Sequence, residues 1–235
     1  MFNAFTWGVS WWPLRQLADI GLHPLWLTGL VYSIAVLVLL AARWRALAEL
    51  RHTPSLWLLV LAAGGTNACF NWAVSIGDVV RVVLLFYLMP LWTVLLSRWL
   101  LGERISWRGG VRVALALAGA LVVLWPAGGG GQLLVLPSNL QPGLQPSLPD
   151  ALAVLGGFCF ALNNVLLRRE AHRSEPARAL AMFSGGAVVS LLLAAWLTSR
   201  GVAGVPPALA WGWALAALGL AAWFLVSNLA LQYGV

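Results

Sequence analysis

Five asparagines lie inside long apolar runs of the sequence, where a carboxamide reaches little water. They are Asn67, Asn71, Asn163, Asn164 and Asn228. Asn67 and Asn71 are four residues apart, so a helix would place both on one face. A polar group in hydrocarbon needs a hydrogen-bonding partner. These amides therefore either bind a polar solute or form hydrogen bonds between helices, which contribute about 0.6–2 kcal/mol each.

Aromatic side chains in the same runs could form a wall for an aromatic or amphipathic solute. The candidates are Trp7, Trp11, Phe70, Trp72 and Tyr87. Tyr87 lies one turn before Pro90, and a proline inside a helix frees a backbone carbonyl and can kink the helix at a functional position. Packing against lipid or neighbouring helices would explain each aromatic residue equally well.

Charged residues at the ends of apolar runs are candidates for gating. Glu103 and Arg104 follow one such run, where pairing with neighbours would organise a loop and gating is the alternative function. Asp78 and Arg81 flank a turn on the other side of the membrane, where gating is again an alternative.

A simple ion pair is predicted at the first turn of the chain. Asp19 follows Arg15 by four residues, the spacing at which opposite charges face each other on a helix. The pair would lie at the end of the first span, on the outer face of the bilayer that the protein crosses.

The sequence offers no catalytic set, metal site or cofactor site. His23, His52 and His172 fall in separate loops without metal-ligand spacing. The glycine run at 128–131 cannot act as a phosphate loop, because that motif requires a lysine and the chain has none. A membrane-embedded enzyme is the rejected alternative, because no cluster of His, Asp or Glu forms at one membrane face.

The composition indicates a membrane protein. Apolar residues make up 61% of the chain and charged residues 9%, whereas soluble domains carry about 25% charged residues. All 14 basic residues are arginine, and the net charge is +7. Because the arginines lie in short loops between apolar runs, membrane orientation explains them better than nucleic-acid binding.

Eight apolar segments are long enough to span a bilayer as helices, since a span needs about 20 residues. They are 1–18, 24–42, 55–76, 79–101, 109–126, 150–168, 177–198 and 207–233. Within the seventh, Ala181 and Gly185 form a small-residue face that predicts close helix packing. Eleven of the 14 arginines fall on one side of the predicted topology. This bias predicts that both termini are cytoplasmic.

The two sides of the proline-rich segment 127–149 resemble each other. Residues 5–15 align with 158–168 at an offset of 153, and residues 71–77 align with 228–234 at an offset of 157. The alignment makes Asn71 equivalent to Asn228. We therefore predict a five-helix repeat at 1–126, an outer linker at 127–149 and an incomplete second repeat at 150–235. An odd number of spans inverts the second copy, a common plan in secondary transporters.

The fourth span and its exit resemble a known family. The stretch from Arg81 to Ser106 carries a mid-helix proline, Pro90, followed by Gly102, Glu103 and Arg104. This pattern resembles the drug/metabolite transporter superfamily in its EamA-type branch, and Trp7 with Gly8 resembles that family's first-span motif. The resemblance implies ten spans in two inverted halves and movement of small metabolites, often outward. Spans nine and ten are not present in this chain.

These observations predict an all-α polytopic membrane protein of about eight helices in the bacterial inner membrane. Its function would be secondary transport of a small organic metabolite, an amino acid or an amphipathic solute, by alternating access and in the export direction. The expected partners are the solute and the lipid bilayer, and a homodimer is compatible with this interpretation. The alternative is a non-transporting fragment or membrane interaction subunit. The solute and the coupling ion stay open.

Overall fold

The computed structural model describes residues 2–103, 107–124, 147–204, 206 and 211–232. Within these ranges the chain forms eleven helical segments and no strand. Their bounds are α1 Phe2–Val9, α2 Trp11–Asp19, α3 Pro24–Arg43, α4 Ala46–His52, α5 Pro54–Ile76, α6 Val79–Phe86, α7 Met89–Leu101, α8 Trp107–Leu124, α9 Leu148–Arg169, α10 Glu175–Ser199 and α11 Trp211–Gln232. The predicted all-α class is confirmed for the described residues.

Each predicted span coincides with one helix or with a pair of helical segments. The span 1–18 is α1 and α2, separated at Ser10, and the span 79–101 is α6 and α7, separated at Tyr87 and Leu88. In the described ranges, the helices long and apolar enough to cross a membrane are α3, α5, α6 with α7, α9 and α10. Shorter apolar stretches lie in α8 and α11. The count of eight spans stays a prediction.

One described helix lies outside the spans predicted from hydropathy. The short helix α4 is not predicted, because Glu49 and Arg51 interrupt its apolar character. Residues 125–146, which make up most of the predicted linker, lie outside the described residues.

The helix ends coincide with residues that satisfy free backbone groups. The Asp78 carboxylate accepts the Arg81 backbone N–H at 2.8 Å and so caps α6. Gly102 ends α7 with a φ of 68°, a left-handed conformation that glycine adopts without a Cβ clash. These residues fix the positions at which the chain turns back across the bundle.

Helix α5 lies at the centre of the described bundle. It packs against α9 and α10, and α10 also packs against α3. The α5–α10 crossing is very close, because a Cβ added to Gly185 would lie 2.1 Å from the Val60 carbonyl oxygen. A Cβ added to Gly64 would lie 2.3 Å from Val189 Cγ2. The close packing predicted for Gly185 is therefore confirmed.

The two ends of the bundle differ in charge. At the arginine-rich end, α3, α7 and α9 end and α5 and α10 begin, and Arg168 of α9 pairs with Glu103 beyond α7. At the opposite end, Trp26 Nε1 of α3 donates to Thr198 Oγ1 of α10 at 3.3 Å. Successive long helices therefore run antiparallel, as the predicted topology requires.

Arg15 does not pair with Asp19, and this prediction was wrong. Both residues are described, but the Arg15 guanidinium donates to the Val74 carbonyl oxygen at 3.0 Å and to the Gly77 carbonyl oxygen. The last carbonyls of a helix have no partner within it, so the end of α5 offers Arg15 acceptors. These bonds fix α2 to α5 at the end opposite the arginine-rich end.

The cap of α3 leads to a pH prediction. Burial lowers the pKa of His23 below its ordinary value of 6.5, and His23 Nδ1 accepts the Leu25 backbone N–H at 3.3 Å, which requires a neutral ring. As the pH falls below about 6.5, the unfolded chain binds the proton first, so stability is lost. We expect the thermal unfolding midpoint in detergent to fall between pH 7 and pH 5.

The substitution His23→Asn tests the cause of that shift. Asparagine keeps a capping acceptor but does not titrate, so the fall in midpoint should become smaller. His52→Asn is the control, because His52 is exposed at the other end of the bundle. An unchanged pH profile in His23→Asn would contradict the prediction.

Candidate functional site

Asn67 is buried in the middle of α5 with both ends of its amide satisfied. Its Oδ1 accepts the Tyr32 hydroxyl at 2.5 Å, and its Nδ2 donates to the Ala63 carbonyl oxygen at 2.8 Å. The Tyr32 ring lies in a slot left by Gly186 of α10, because a Cβ added there would be 2.7 Å from the ring. Asn67 therefore joins α5 to α3.

Asn71 lies one turn further along α5 and differs from Asn67 in one respect. It is fully buried, and its Nδ2 donates to Thr28 Oγ1 of α3 at 3.0 Å. Its Oδ1 is also buried but accepts no hydrogen bond from the described residues. An unsatisfied buried acceptor costs about 1–3 kcal/mol, so Asn71 carries a free hydrogen-bonding position inside the bundle.

A second buried polar atom lies at a similar depth. The Ser190 hydroxyl of α10 is fully buried and has no partner among the described residues. Its neighbour Leu191 lies against Gly29 of α3, where an added Cβ would be 2.5 Å from Leu191 Cγ. Gly29 adjoins Thr28, so Ser190 and Asn71 lie at the same level along α3.

The asparagines of α9 lie nearer the arginine-rich end. Asn163 is buried, and its Oδ1 has no partner within the described ranges. Asn164 is half-buried. Asn228 falls in α11, but its side chain lies outside the described residues. The structure therefore gives Asn163 the same free acceptor as Asn71, at a different depth.

The residues of the predicted aromatic wall come from several elements, and Trp11, Phe70 and Trp72 belong to one hydrophobic cluster. Trp11 is half-buried, with the Arg15 guanidinium 5.6 Å from its ring centroid. Tyr87 is 51% exposed at the break between α6 and α7. Trp7 lies in α1, but its side chain is outside the described residues. Trp11 thus lies on α2 and Tyr87 between α6 and α7, and no ring contact joins these two side chains among the described residues.

Pro90 lies in the first turn of α7, directly after the helix break at Tyr87 and Leu88. Its ring cannot donate a backbone hydrogen bond, which suits the start of a helix and interrupts a continuous one. On each side of the break an aromatic residue contacts α9. Phe86 packs with Phe160 at 5.5 Å, and Trp92 meets Phe158 edge-on at 5.6 Å between ring centroids.

Ion pairs join α6 and α7 to α9 at both ends of the bundle. Opposite the arginine-rich end, the Arg81 guanidinium forms two bonds of 2.8 Å with the Asp150 carboxylate. At the arginine-rich end, an Arg168 terminal nitrogen lies 2.7 Å from Glu103 Oε1. Parallel pairs of such bonds are the stronger kind, so the partly buried Arg81–Asp150 pair is the firmer of the two. Arg104 lies outside the described residues.

The sequence predicted some of these partners and missed others. Glu103 pairs with a neighbour as predicted, but the neighbour is Arg168, which is 65 residues away. Asp150 and Ser190 were not predicted as members of any site. Asp150 begins a predicted span, so its charge is typical of a helix start, and Ser190 is a single small residue in an apolar run. Neither residue can be recognised from the sequence as part of a site, because its partners are distant in sequence.

A surface depression of about 460 Å³ lies away from the buried asparagines. It is lined by Ala42, Arg43, Trp44, Arg45, Ala46, Glu49, Ser174 and Pro176, which places it at the arginine-rich end, between the end of α3, α4 and the start of α10. In the described ranges, no three His, Cys, Asp or Glu side chains form a group that could hold a metal ion. The depression and the buried polar groups of Asn71 and Ser190 are therefore separate features.

Comparison with known proteins identifies a family and several bacterial relatives. The sequence model of the EamA-like transporter family matches residues 1–125 of the 235. An uncharacterized transporter from Vibrio cholerae is 32% identical over 164 residues, which cover 66% of this chain and 49% of that protein.

RarD proteins of other bacteria are also similar. Protein RarD from Salmonella typhi is 30% identical over 131 residues, covering 53% of this chain and 45% of RarD. Protein RarD from Escherichia coli K12 is 28% identical over 131 residues, covering 53% of this chain and 44% of RarD. The chain thus spans about half the length of these relatives. No solved structure matches it. Because the family match covers more than half of the chain, this multi-pass membrane protein belongs to the EamA-like transporter family.

Proposed function

We propose that the protein moves a small organic metabolite, an amino acid or an amphipathic solute, across the bacterial inner membrane by alternating access. The observation that carries the proposal is the free, fully buried Oδ1 of Asn71 in a membrane-spanning helix. Polar groups inside a membrane bundle are costly and commonly mark a solute pathway. A solute with an N–H or O–H group would satisfy this acceptor.

The buried polar groups around Asn71 support the proposal that the solute is small and forms hydrogen bonds. Asn71 and Ser190 lie on α5 and α10 at the same depth of α3 and offer an amide oxygen and a hydroxyl. Aromatic side chains line the neighbouring turn, where Tyr32 stacks with Phe224 at 6.3 Å between ring centroids. Such a mixture suits a molecule with polar and apolar groups. The other predicted binding residues remain predictions: Trp7, Trp11, Asn67, Tyr87, Asn163, Asn164 and Asn228.

Helix packing supports an inverted repeat. If α1 with α2, α3 and α5 correspond to α9, α10 and α11, each contact between the two copies should recur when the copies are exchanged. Helix α5 contacts α9 and α10, and α11 contacts α1 and α3, which is the corresponding pair. The α3–α10 contact maps onto itself. This pattern is the one expected for two copies related by a two-fold axis in the membrane plane.

The ion pairs at the two ends of α9 support a gating role for Glu103 and for Pro90, which follows the helix break at Tyr87 and Leu88. Alternating access requires that one end of a bundle separates while the other stays closed. Arg81–Asp150 joins α6 to α9 at one end of the bundle, and Glu103–Arg168 joins the end of α7 to α9 at the other. The arginine bias favours a cytoplasmic position for the Glu103 end and both termini, and the family resemblance favours the export direction.

Paired substitutions of the two α5 asparagines separate binding from packing. Asn71→Leu removes an unsatisfied buried acceptor together with one hydrogen bond to Thr28, so the two effects on stability offset each other and the thermal unfolding midpoint should change little. Transport should fall about tenfold through loss of one hydrogen bond to the solute. Asn67→Leu leaves the Tyr32 hydroxyl buried without its acceptor, so the midpoint should fall. Each variant replaces one asparagine of α5 by leucine, and the two positions are one turn apart.

The measurement is counterflow of labelled amino acids and amphipathic solutes into proteoliposomes, beside thermal unfolding in detergent. Normal transport by a stable Asn71→Leu protein would contradict a binding role for Asn71. If the folded wild-type protein moves no solute in a broad panel, the function as a membrane interaction subunit replaces transport.

A further inference from the structure

The depression at the arginine-rich end has the composition of an anion site. Two arginines and one tryptophan line it, together with one carboxylate, Glu49. The Glu49 carboxylate is already occupied, because it accepts the Ser174 backbone N–H at 3.2 Å and the Ser174 hydroxyl. The lining therefore keeps a net charge of +1, with its arginines available to a ligand.

Arg43 and Arg45 are exposed and form no ion pair among the described residues. Arg45 lies 5.7 Å from the centroid of the Trp44 ring, which holds the guanidinium beside the indole. A planar guanidinium matches the oxygens of a phosphate group with two parallel hydrogen bonds. The chemistry therefore favours a phosphate-bearing anion over a neutral ligand.

The position of the depression favours a lipid as the source of that phosphate. It opens where α3 ends, after 20 residues that are long enough to cross the hydrocarbon layer. Trp44 is 69% exposed at this boundary, the position at which indole rings meet lipid headgroups. Basic pockets between helices at this depth commonly bind anionic headgroups.

We propose that this depression binds the headgroup phosphate of an anionic phospholipid through Arg43 and Arg45. The inference does not depend on the proposed transport function, since it concerns a surface separate from the buried Asn71 and Ser190. A bound lipid would contact α3, α4 and α10 together, because the lining residues come from the ends of all three.

Native mass spectrometry of the full chain in detergent tests the proposal, with phosphatidylglycerol, phosphatidylcholine and inorganic phosphate as probes. Wild-type protein should retain phosphatidylglycerol in preference to phosphatidylcholine. The variant Arg43→Gln/Arg45→Gln should lose roughly 10- to 30-fold in phosphatidylglycerol affinity, from the attraction of two surface arginines for anionic lipid. Both residues are exposed, so size-exclusion chromatography should show an intact fold.

Arg200→Gln is the matched control. Arg200 also lies over a tryptophan, 5.6 Å from the Trp196 ring centroid, but at the other end of α10 and outside the lining. Its substitution should leave affinity unchanged. An equal loss in this control, or equal retention of both lipids by the wild type, would overturn the proposal. Competition by inorganic phosphate as effective as the lipid would overturn the lipid assignment and indicate a free-phosphate site.

Discussion

Joining α9 covalently to α6 or to the end of α7 is expected to stop transport completely. The test uses two cysteine pairs, Arg81→Cys with Asp150→Cys and Glu103→Cys with Arg168→Cys, in a chain whose Cys69 and Cys159 are replaced by alanine. Each pair replaces two residues whose longer side chains meet at 2.7–2.8 Å, so the shorter cysteine side chains leave a gap that a short bifunctional maleimide can span. If both ends must open in turn, a link at either one arrests the cycle.

Controls for this experiment separate the link from the substitutions. A monofunctional maleimide should leave each double variant active, and a reductant should restore activity when the linker contains a disulfide. Counterflow in proteoliposomes gives the readout. If transport continues with the Arg81→Cys/Asp150→Cys pair fully linked, alternating access at α9 is wrong, and the two ion pairs only hold the fold together.

The largest effect on folding is expected for Gly185→Leu. A Cβ at this position would lie 2.1 Å from the Val60 carbonyl oxygen and 2.9 Å from the Gly64 backbone nitrogen. Both contacts are to backbone, which cannot turn aside as a side chain can, so α5 and α10 must separate. Overpacking costs about 1–3 kcal/mol even where side chains can adjust. We expect loss of monodisperse folded protein, measured by fluorescence-detected size-exclusion chromatography.

Gly219→Leu in α11 is the control for that substitution. Nothing lies within 4 Å of a Cβ added to Gly219, so this variant should fold as the wild type does. Gly185→Ala should fall between the two, with a lowered thermal midpoint. A Gly185→Leu protein that folds normally would show that the α5–α10 crossing can widen without loss.

Most of the fold follows from hydropathy because membrane helices satisfy their own backbone and need long apolar runs. The eight predicted segments therefore coincide with described helices. Two features escaped this logic. Helix α4 is stabilised by packing of Ala46 and Leu50 against the bundle rather than by its own composition. The break at Tyr87 is local, so hydropathy shows one continuous span where the structure has two segments.

The candidate site was less predictable than the fold. Spacing placed Asn67 and Asn71 on one face, but only their neighbours on α3 distinguish the satisfied amide from the one with a free acceptor. Arg15 pairs with carbonyl oxygens at the end of α5 rather than with Asp19. Contacts between residues distant in sequence decide each case, and a single sequence carries no record of them.

The glycine crossing of α5 and α10 has a mechanical consequence. Gly64 is the eleventh residue of the 23 in α5, and Gly185 is the eleventh of the 25 in α10. The contact thus divides each helix into nearly equal arms, about 15–20 Å long. Because the contact lies at mid-length, a tilt of one helix changes the separation of the helix tips in opposite directions at the two ends. Tilting either helix by about 10° would separate the tips at one end by about 3 Å and press the tips at the other end together by a similar amount.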